Sequence, residues 1–240
     1  TPTVSALIRR MCEEIFDPSV VAVCEGGVAV SRELLAQPFD HIFFTGSPTV
    51  GSIVMKAAAE HLASVTLELG GKSPAIVTHT ARLEDTAERI AVGKFLNNGQ
   101  TCIAPDYILA DKRIAKQLVA KLIEKTRTMY SADNDLESSE DYGRIVNESN
   151  FVRLESLLQD ARDRGAKIEW EGKRDKTTRF MHPVILTNPD MKGRLMQEEI
   201  FGPILPIVTY DTLDEALAII NGYPKPLSLY VFTRESSVRK

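Results

Sequence analysis

The run His41-Ile42-Phe43-Phe44-Thr45-Gly46-Ser47-Pro48-Thr49-Val50-Gly51 decides how the amino-terminal part of the chain folds. His41 to Thr45 is rich in aromatic and β-branched residues, which suit a pleated, half-buried strand. Ser47 is a good N-cap and Pro48 suits the first helical position. Val50, Ile53, Val54, Ala57, Ala58 and Leu62 then mark one face of a helix ending near Ala63. Val65-Thr66-Leu67 is a second strand. Strand, glycine-flanked turn, helix and strand make a βαβ unit with parallel strands. A helix starting at Ser47 offers unpaired amides and a positive dipole end to an anion, commonly a nucleotide phosphate. The turn is looser than the three-glycine dinucleotide fingerprint, so a plain αβ turn is the competing reading.

Upstream, Val4, Leu7, Ile8, Met11 and Ile15 recur at helical spacing, and Asp17-Pro18 ends that helix. Val20 to Val23 reads as a buried strand, with Cys24 closing it in the core. Gly26-Gly27 leads into a short helix around Leu34-Leu35 that Pro38 stops. Downstream, strands are expected at Ala75–Val77, Tyr107–Ala110, Lys167–Trp170, Pro183–Leu186, Ile204–Tyr210 and Leu227–Phe232. Helices are expected from Leu83 to Asn97, from Ile114 to Met129, through Phe151 to Leu158, and through Ala216 to Ile220 behind a Thr212/Glu215 capping box. Ser131 to Tyr142, acidic and serine-rich, reads as an exposed connection. The alternation predicts an α/β fold with a mostly parallel sheet.

Of the 240 residues, 43% are hydrophobic and 26% charged, with a net charge of −4, and no basic face for nucleic acid stands out. No apolar run approaches the roughly 20 residues of a membrane span. Cys12, Cys24 and Cys102 cannot all pair and match no metal framework, which suits a reducing, cytoplasmic compartment. His41, His61, His79 and His182 are far apart, so no metal site is expected. The opening Thr1 and the charged run Arg234 to Lys240 read as the ends of a piece cut from something longer.

Three stretches carry chemistry. Cys102 lies in Asn98-Gly99-Gln100-Thr101-Cys102-Ile103-Ala104-Pro105-Asp106-Tyr107, on a short link between a helix end and a strand. A buried small hydrophobe is the plain alternative for such a thiol. Glu68-Leu69-Gly70-Gly71-Lys72-Ser73-Pro74 follows a strand; its glycines permit close approach to the main chain, and Glu68 reads as a cleft carboxylate or a solvated acid. Gln197-Glu198-Glu199-Ile200-Phe201-Gly202-Pro203 precedes a strand and reads as a binding edge or a wet acidic loop.

Together these stretches resemble the aldehyde dehydrogenase superfamily, and the wording Thr66 to Pro74 and Gly99 to Tyr107 looks most like its class 3 branch. The resemblance implies a Rossmann-like βαβ end of a cofactor domain over 1–69, followed by an α/β catalytic domain over 70–240. It implies that Cys102 attacks an aldehyde carbon and that Glu68 activates water to hydrolyse the resulting thioester. NAD or NADP is the implied cofactor, with Gly46, Ser47, Pro48, Thr49, Val50 and Gly51 at its phosphates and Leu69 and Gly70 beside the nicotinamide. Glu199, rather than Glu198, falls on the ribose hydroxyls, and Phe201 lies at the same end. The implied parent protein is a cytoplasmic homodimer acting on a small aldehyde. The family's upstream Trp-Asn motif, adenine-ribose lysine and glycine-rich C-terminal stretch find no match here, so the chain alone is expected to be inactive. A cysteine-dependent acyl transferase or hydrolase without nicotinamide is the competing function.

Overall fold

The computed structural model describes residues 1–131 and 135–239. The chain divides into two compact units, Thr1–Leu69 and Gly70–Lys240.

In the first unit, α1 (Pro2–Ile15) and α2 (Val28–Leu35) precede β1 (His41–Gly46), α3 (Pro48–Glu60) and β2 (Ser64–Leu69). β1 and β2 pair in parallel, with Thr45 opposite Glu68 and Gly46 opposite Leu69. The βαβ reading holds, and Ser47 caps α3 by accepting from the Val50 amide at 3.4 Å. The α3 face is narrower than the periodicity suggests. Gly51, Val54 and Ala58 are buried, while Val50, Ile53 and Leu62 are exposed.

Val20 to Val23 is not a strand, and Cys24 is exposed rather than core. The Val20 and Val21 amides both return to the Asp17 carbonyl, and the Asp17 carboxylate takes the Ser19 amide at 2.9 Å. A local turn has therefore consumed donors that a ladder would need.

The second unit is built on a six-stranded sheet. Its strands are β3 (Pro74–Val77), β4 (Tyr107–Asp111), β5 (Lys167–Trp170), β8 (Val184–Thr187), β9 (Ile204–Tyr210) and β10 (Tyr230–Phe232), in the order β10-β3-β4-β9-β8-β5. Every pairing is parallel except β5 with β8. A small hairpin of β6 (Arg174–Asp175) and β7 (Phe180–Met181), which no sequence pattern announces, lies outside it. β10 is shorter than the apolar run from Leu227, since Leu227 and Leu229 are exposed behind Pro226.

Helices α4 (Leu83–Phe95), α5 (Ala115–Tyr130), α6 (Glu148–Asp163), the short α7 (Arg194–Gln197) and α8 (Leu213–Asn221) complete the unit. Side chains alternate across each strand. Ala75, Val77, Ile108 and Ala110 pack with Ile90 and Leu118 of α4 and α5. Ile76 and Leu109 face the other way, with Ala216 of α8. Around α6, Leu154 and Leu157 pack against Val184, Leu186 and Ile204. The Ser131–Tyr142 connection, of which 132–134 lie outside the described residues, is not simply exposed: Leu136 and Tyr142 are buried, and the Tyr142 hydroxyl donates to the Met181 carbonyl at 2.8 Å. Among the described residues no helix is long and apolar enough to cross a membrane.

Leu154 is fully buried, whereas Val152 on the same helix is 47% exposed. Leu154→Ala is expected to cost about 2–5 kcal/mol through lost transfer energy and a cavity. Val152→Ala should stay within about 0.5 kcal/mol. Urea titration followed by the fluorescence of Trp170 checks both.

Candidate active site

Cys102 sits on a loop whose path is enforced at several points. After α4 the chain makes one 3-10 turn, Leu96–Gly99, in which Asn97 (φ 50°), Asn98 (φ 56°) and Gly99 (φ 70°) are all left-handed. Only glycine suits the last position twice over, since a Cβ there would overlap the Gly202 carbonyl oxygen. The Gln100 side chain then ties the loop down, donating to the Asn97 and Arg144 carbonyls (2.9 and 3.0 Å) and accepting the Val146 amide at 2.8 Å. A turn closes from the Ala104 amide to the Thr101 carbonyl, and the Tyr230 hydroxyl donates to Ile103 O at 2.6 Å. Cys102 is held in this turn, half-buried.

The same geometry brings in the third stretch. Gly99 lies against Gly202, so the loop bearing Cys102 abuts the loop bearing Glu199 and Phe201. The Glu199 carboxylate is half-buried and accepts from the Gly71 amide. It occupies the space a Cβ would need at Gly70, which explains the absence of a side chain there. Burial pushes the Glu199 carboxyl above its ordinary range, with the Gly71 amide acting against the shift. Its neighbour Glu198 is spent on Arg194, at 2.7 Å. Phe201 holds a left-handed backbone (φ 47°) and is 38% exposed. The two neighbouring acids thus have different partners, Arg194 for Glu198 and the Gly70–Gly71 backbone for Glu199.

No pattern in the sequence marks the charges beneath these loops. Lys72 and Asp106, both buried, form an ion pair. Lys72 also donates to the carbonyls of Leu195 and Glu198, each at 3.0 Å, and the other Asp106 oxygen accepts the Ile200 amide at 2.8 Å. Arg153 of α6 donates to the Glu199 and Ile200 carbonyls (3.2 and 2.7 Å). Lys94, 1% exposed on α4, is driven down to about 8 by burial, with Asp106 and Glu199 opposing the shift and Lys72 adding to it. The signal in the sequence is position: Lys72 and Asp106 each stand just before the apolar run of a buried strand.

In the first unit, the residues of the proposed phosphate end and the strand-end acid also lie together. Gly46 is in register with Leu69, and Gly51 packs on the Leu69 side chain, where a Cβ would be 2.8 Å from Cδ2. Glu68 is exposed at the end of β2. Gly46, Ser47, Pro48, Thr49 and Val50 are exposed at the amino end of α3. Ser47 takes the Val50 amide and Pro48 has no N–H, leaving the Thr49 amide without an intrahelical acceptor. That donor set fits an anionic group.

The lowered Lys94 carries a stability signature. Between about pH 8 and its unfolded value of 10.5, the unfolded chain binds the extra proton, so stability rises with pH. Lys94→Met should abolish that rise, a difference on the order of a few kcal/mol. Urea midpoints of both proteins from pH 7 to 11 measure it.

The sequence model described as the Aldehyde dehydrogenase family matches residues 1–239. The 4,4'-diaponeurosporen-aldehyde dehydrogenase of Staphylococcus aureus is 47% identical over 237 residues, covering 99% of this chain and 50% of the relative. Aldehyde dehydrogenase family 3 member A2 of Mus musculus is 46% identical over 234 residues, covering 98% and 47%. A solved structure described as the substrate-bound state of Staphylococcus aureus AldH superposes with a TM-score of 0.93 at 46% identity, covering 99% of this chain and 51% of that one. The chain thus spans about half the length of these curated relatives. With the family model matching nearly end to end and the Cys102 and Glu199 loops packed together as described, the chain belongs to the aldehyde dehydrogenase family.

Proposed function

We propose that the whole protein oxidises an aldehyde to a carboxylic acid with NAD or NADP, through a covalent intermediate on Cys102. The observation that carries this reading is the packing of the Cys102 loop against the Glu199 loop at Gly99 and Gly202. Family membership supports the reaction class.

In this mechanism the Cys102 thiolate adds to the aldehyde carbon, and a main-chain amide near Cys102 donates to the oxyanion of the thiohemiacetal. A nicotinamide held there would supply the hydride acceptor. With the hydride gone, a thioester remains on Sγ. Glu68 takes a proton from water, the hydroxide attacks the thioester carbonyl, and the acid leaves as the thiolate is restored. For the dinucleotide, Gly46, Ser47, Pro48, Thr49, Val50 and Gly51 would lie at its phosphate end, with the Thr49 amide as a donor not used within the helix, and Leu69, Gly70 and Phe201 would lie toward its nicotinamide end. Glu199 would accept from the ribose diol, a role open to a half-buried carboxylate. By the same family resemblance, the whole protein is a cytoplasmic homodimer. The 240-residue chain by itself does not turn over, consistent with its spanning half of its relatives.

Cys102→Ser in the whole protein should lower aldehyde oxidation by at least about 1,000-fold, the scale on which nucleophiles act. Glu68→Gln should release one equivalent of reduced cofactor in a burst and then stall as a trapped thioester, read by stopped-flow absorbance and intact mass. Ester hydrolysis by the wild type without any nicotinamide-dependent aldehyde oxidation would overturn the proposal, as would benzaldehyde turnover by the 240-residue chain for its inactivity.

Because burial raises the Glu199 carboxyl, cofactor KM should climb on acidification at a higher pH than an ordinary carboxylate allows. In Glu199→Gln that climb should vanish. Steady-state KM against pH for both proteins checks the sign.

A further inference from the structure

We propose that Lys72 and Asp106 are positioning residues that set the carboxylate of Glu199, an inference that rests on reading Glu199 as the acceptor of the cofactor's ribose hydroxyls. The pair grips the peptide groups on both sides of that residue. Lys72 Nζ donates to the Glu198 carbonyl at 3.0 Å, and Asp106 Oδ1 accepts the Ile200 amide at 2.8 Å. The Lys72–Asp106 contact closes the clamp. A third Lys72 donor holds Leu195 O at 3.0 Å, in the helix that leads into the loop. All three ammonium protons and both carboxylate oxygens are then accounted for, so neither group has freedom to reorient.

The clamp also has a fixed base. Lys72 follows Gly70 and Gly71, the residues against which Glu199 rests, and Asp106 N donates to Ser73 O at 2.7 Å. One ion pair therefore sets Glu199 relative to its seat and to the strand that follows Cys102. Both members are at least nine-tenths buried, at 7% and 3% exposure, and neither reaches bulk solvent to bind substrate itself. A buried ion pair that spends its remaining hydrogen bonds on one loop and the helix leading into it is a device for geometry more than for stability. Burial of Glu199 makes that geometry consequential, since a displaced carboxylate loses the Gly71 amide.

The test is kinetic, on the whole protein, with Lys72→Met, Asp106→Asn, Glu199→Gln and the double variant Lys72→Met/Glu199→Gln. Lys72→Met should raise cofactor KM by about 10- to 100-fold, the range produced by a misplacement near 1 Å. The aldehyde KM should stay within about twofold, because a general loss of folded enzyme lowers kcat and leaves both KM values alone. Adding Lys72→Met to Glu199→Gln should change cofactor KM by less than about twofold, since the lysine acts through a carboxylate already removed. Additive effects would overturn the proposal. Hydrogen exchange of the Ile200 amide supplies the second readout: it should speed at least about tenfold in Lys72→Met without a matching change in the α6 amides, and unchanged protection would overturn the clamp. Should Lys72→Met fail to fold, Asp106→Asn keeps the side chain's size and an oxygen for Ile200 while removing the charge, and should raise cofactor KM in the same direction; no change would overturn the proposal. If Glu199→Gln alone leaves cofactor KM unaltered, the ribose assignment falls, and Ile200 exchange decides the clamp separately.

Discussion

A buried lysine and a buried aspartate, each surrounded by main-chain partners, are the constraint that holds three loops of the second unit together. Taking two charges out of water costs several kcal/mol per ion even after relaxation, and their attraction offsets this only when every lone pair and proton is used. Lys72 and Asp106 meet that condition through Leu195, Glu198 and Ile200. Their contacts join three segments far apart in sequence. Removing one partner would leave an uncompensated charge in the interior, so the arrangement has one stable geometry rather than several.

The three segments meet because of strand order. Lys72 precedes β3, Asp106 precedes β4, and Glu199 precedes β9, and these strands are adjacent and parallel. Loops that enter neighbouring parallel strands from the same side must emerge at one edge of the sheet. The usual rule for open α/β sheets places ligands at the carboxyl ends of strands. In the first unit the turn after β1 and Glu68 of β2 lie at such ends. In the second unit Cys102 and Glu199 lie at amino ends instead. The linker Gly70–Ser73 runs from the carboxyl end of β2 to the amino end of β3, with Gly71 at φ 126° to permit its bend.

Local rules were legible wherever the determining contacts are local. The Ser47 cap, the Pro48 start, the Thr212 cap and the apolar strands β3 and β4 follow from propensity and composition, and they appear as read. The failures share a cause as well. Val20 to Val23 has the composition of a buried strand, yet a strand needs a ladder, and the Asp17 turn takes the first two of its amides, those of Val20 and Val21. Val50, Ile53 and Leu62 have helical spacing, but spacing does not say how much of a face is covered. Leu136 and Tyr142 went unnoticed in an acidic connection because burial there comes from the Phe180 region, distant in sequence.

By itself the sequence determined the α/β alternation, the helix ends, the candidate thiol and both candidate acids, because side-chain periodicity and capping act over a few residues. Motif wording was enough to prefer Glu199 to Glu198. The tertiary structure alone decided what that preference means physically: Arg194 occupies one carboxylate, while the Gly70–Gly71 backbone receives the other. It also decided that Gly99 must lack a side chain, since the obstructing atom belongs to Gly202, and that Lys72 and Asp106 are a pair. Such facts depend on which strands lie side by side, and strand order is fixed by long-range packing that no window of sequence contains.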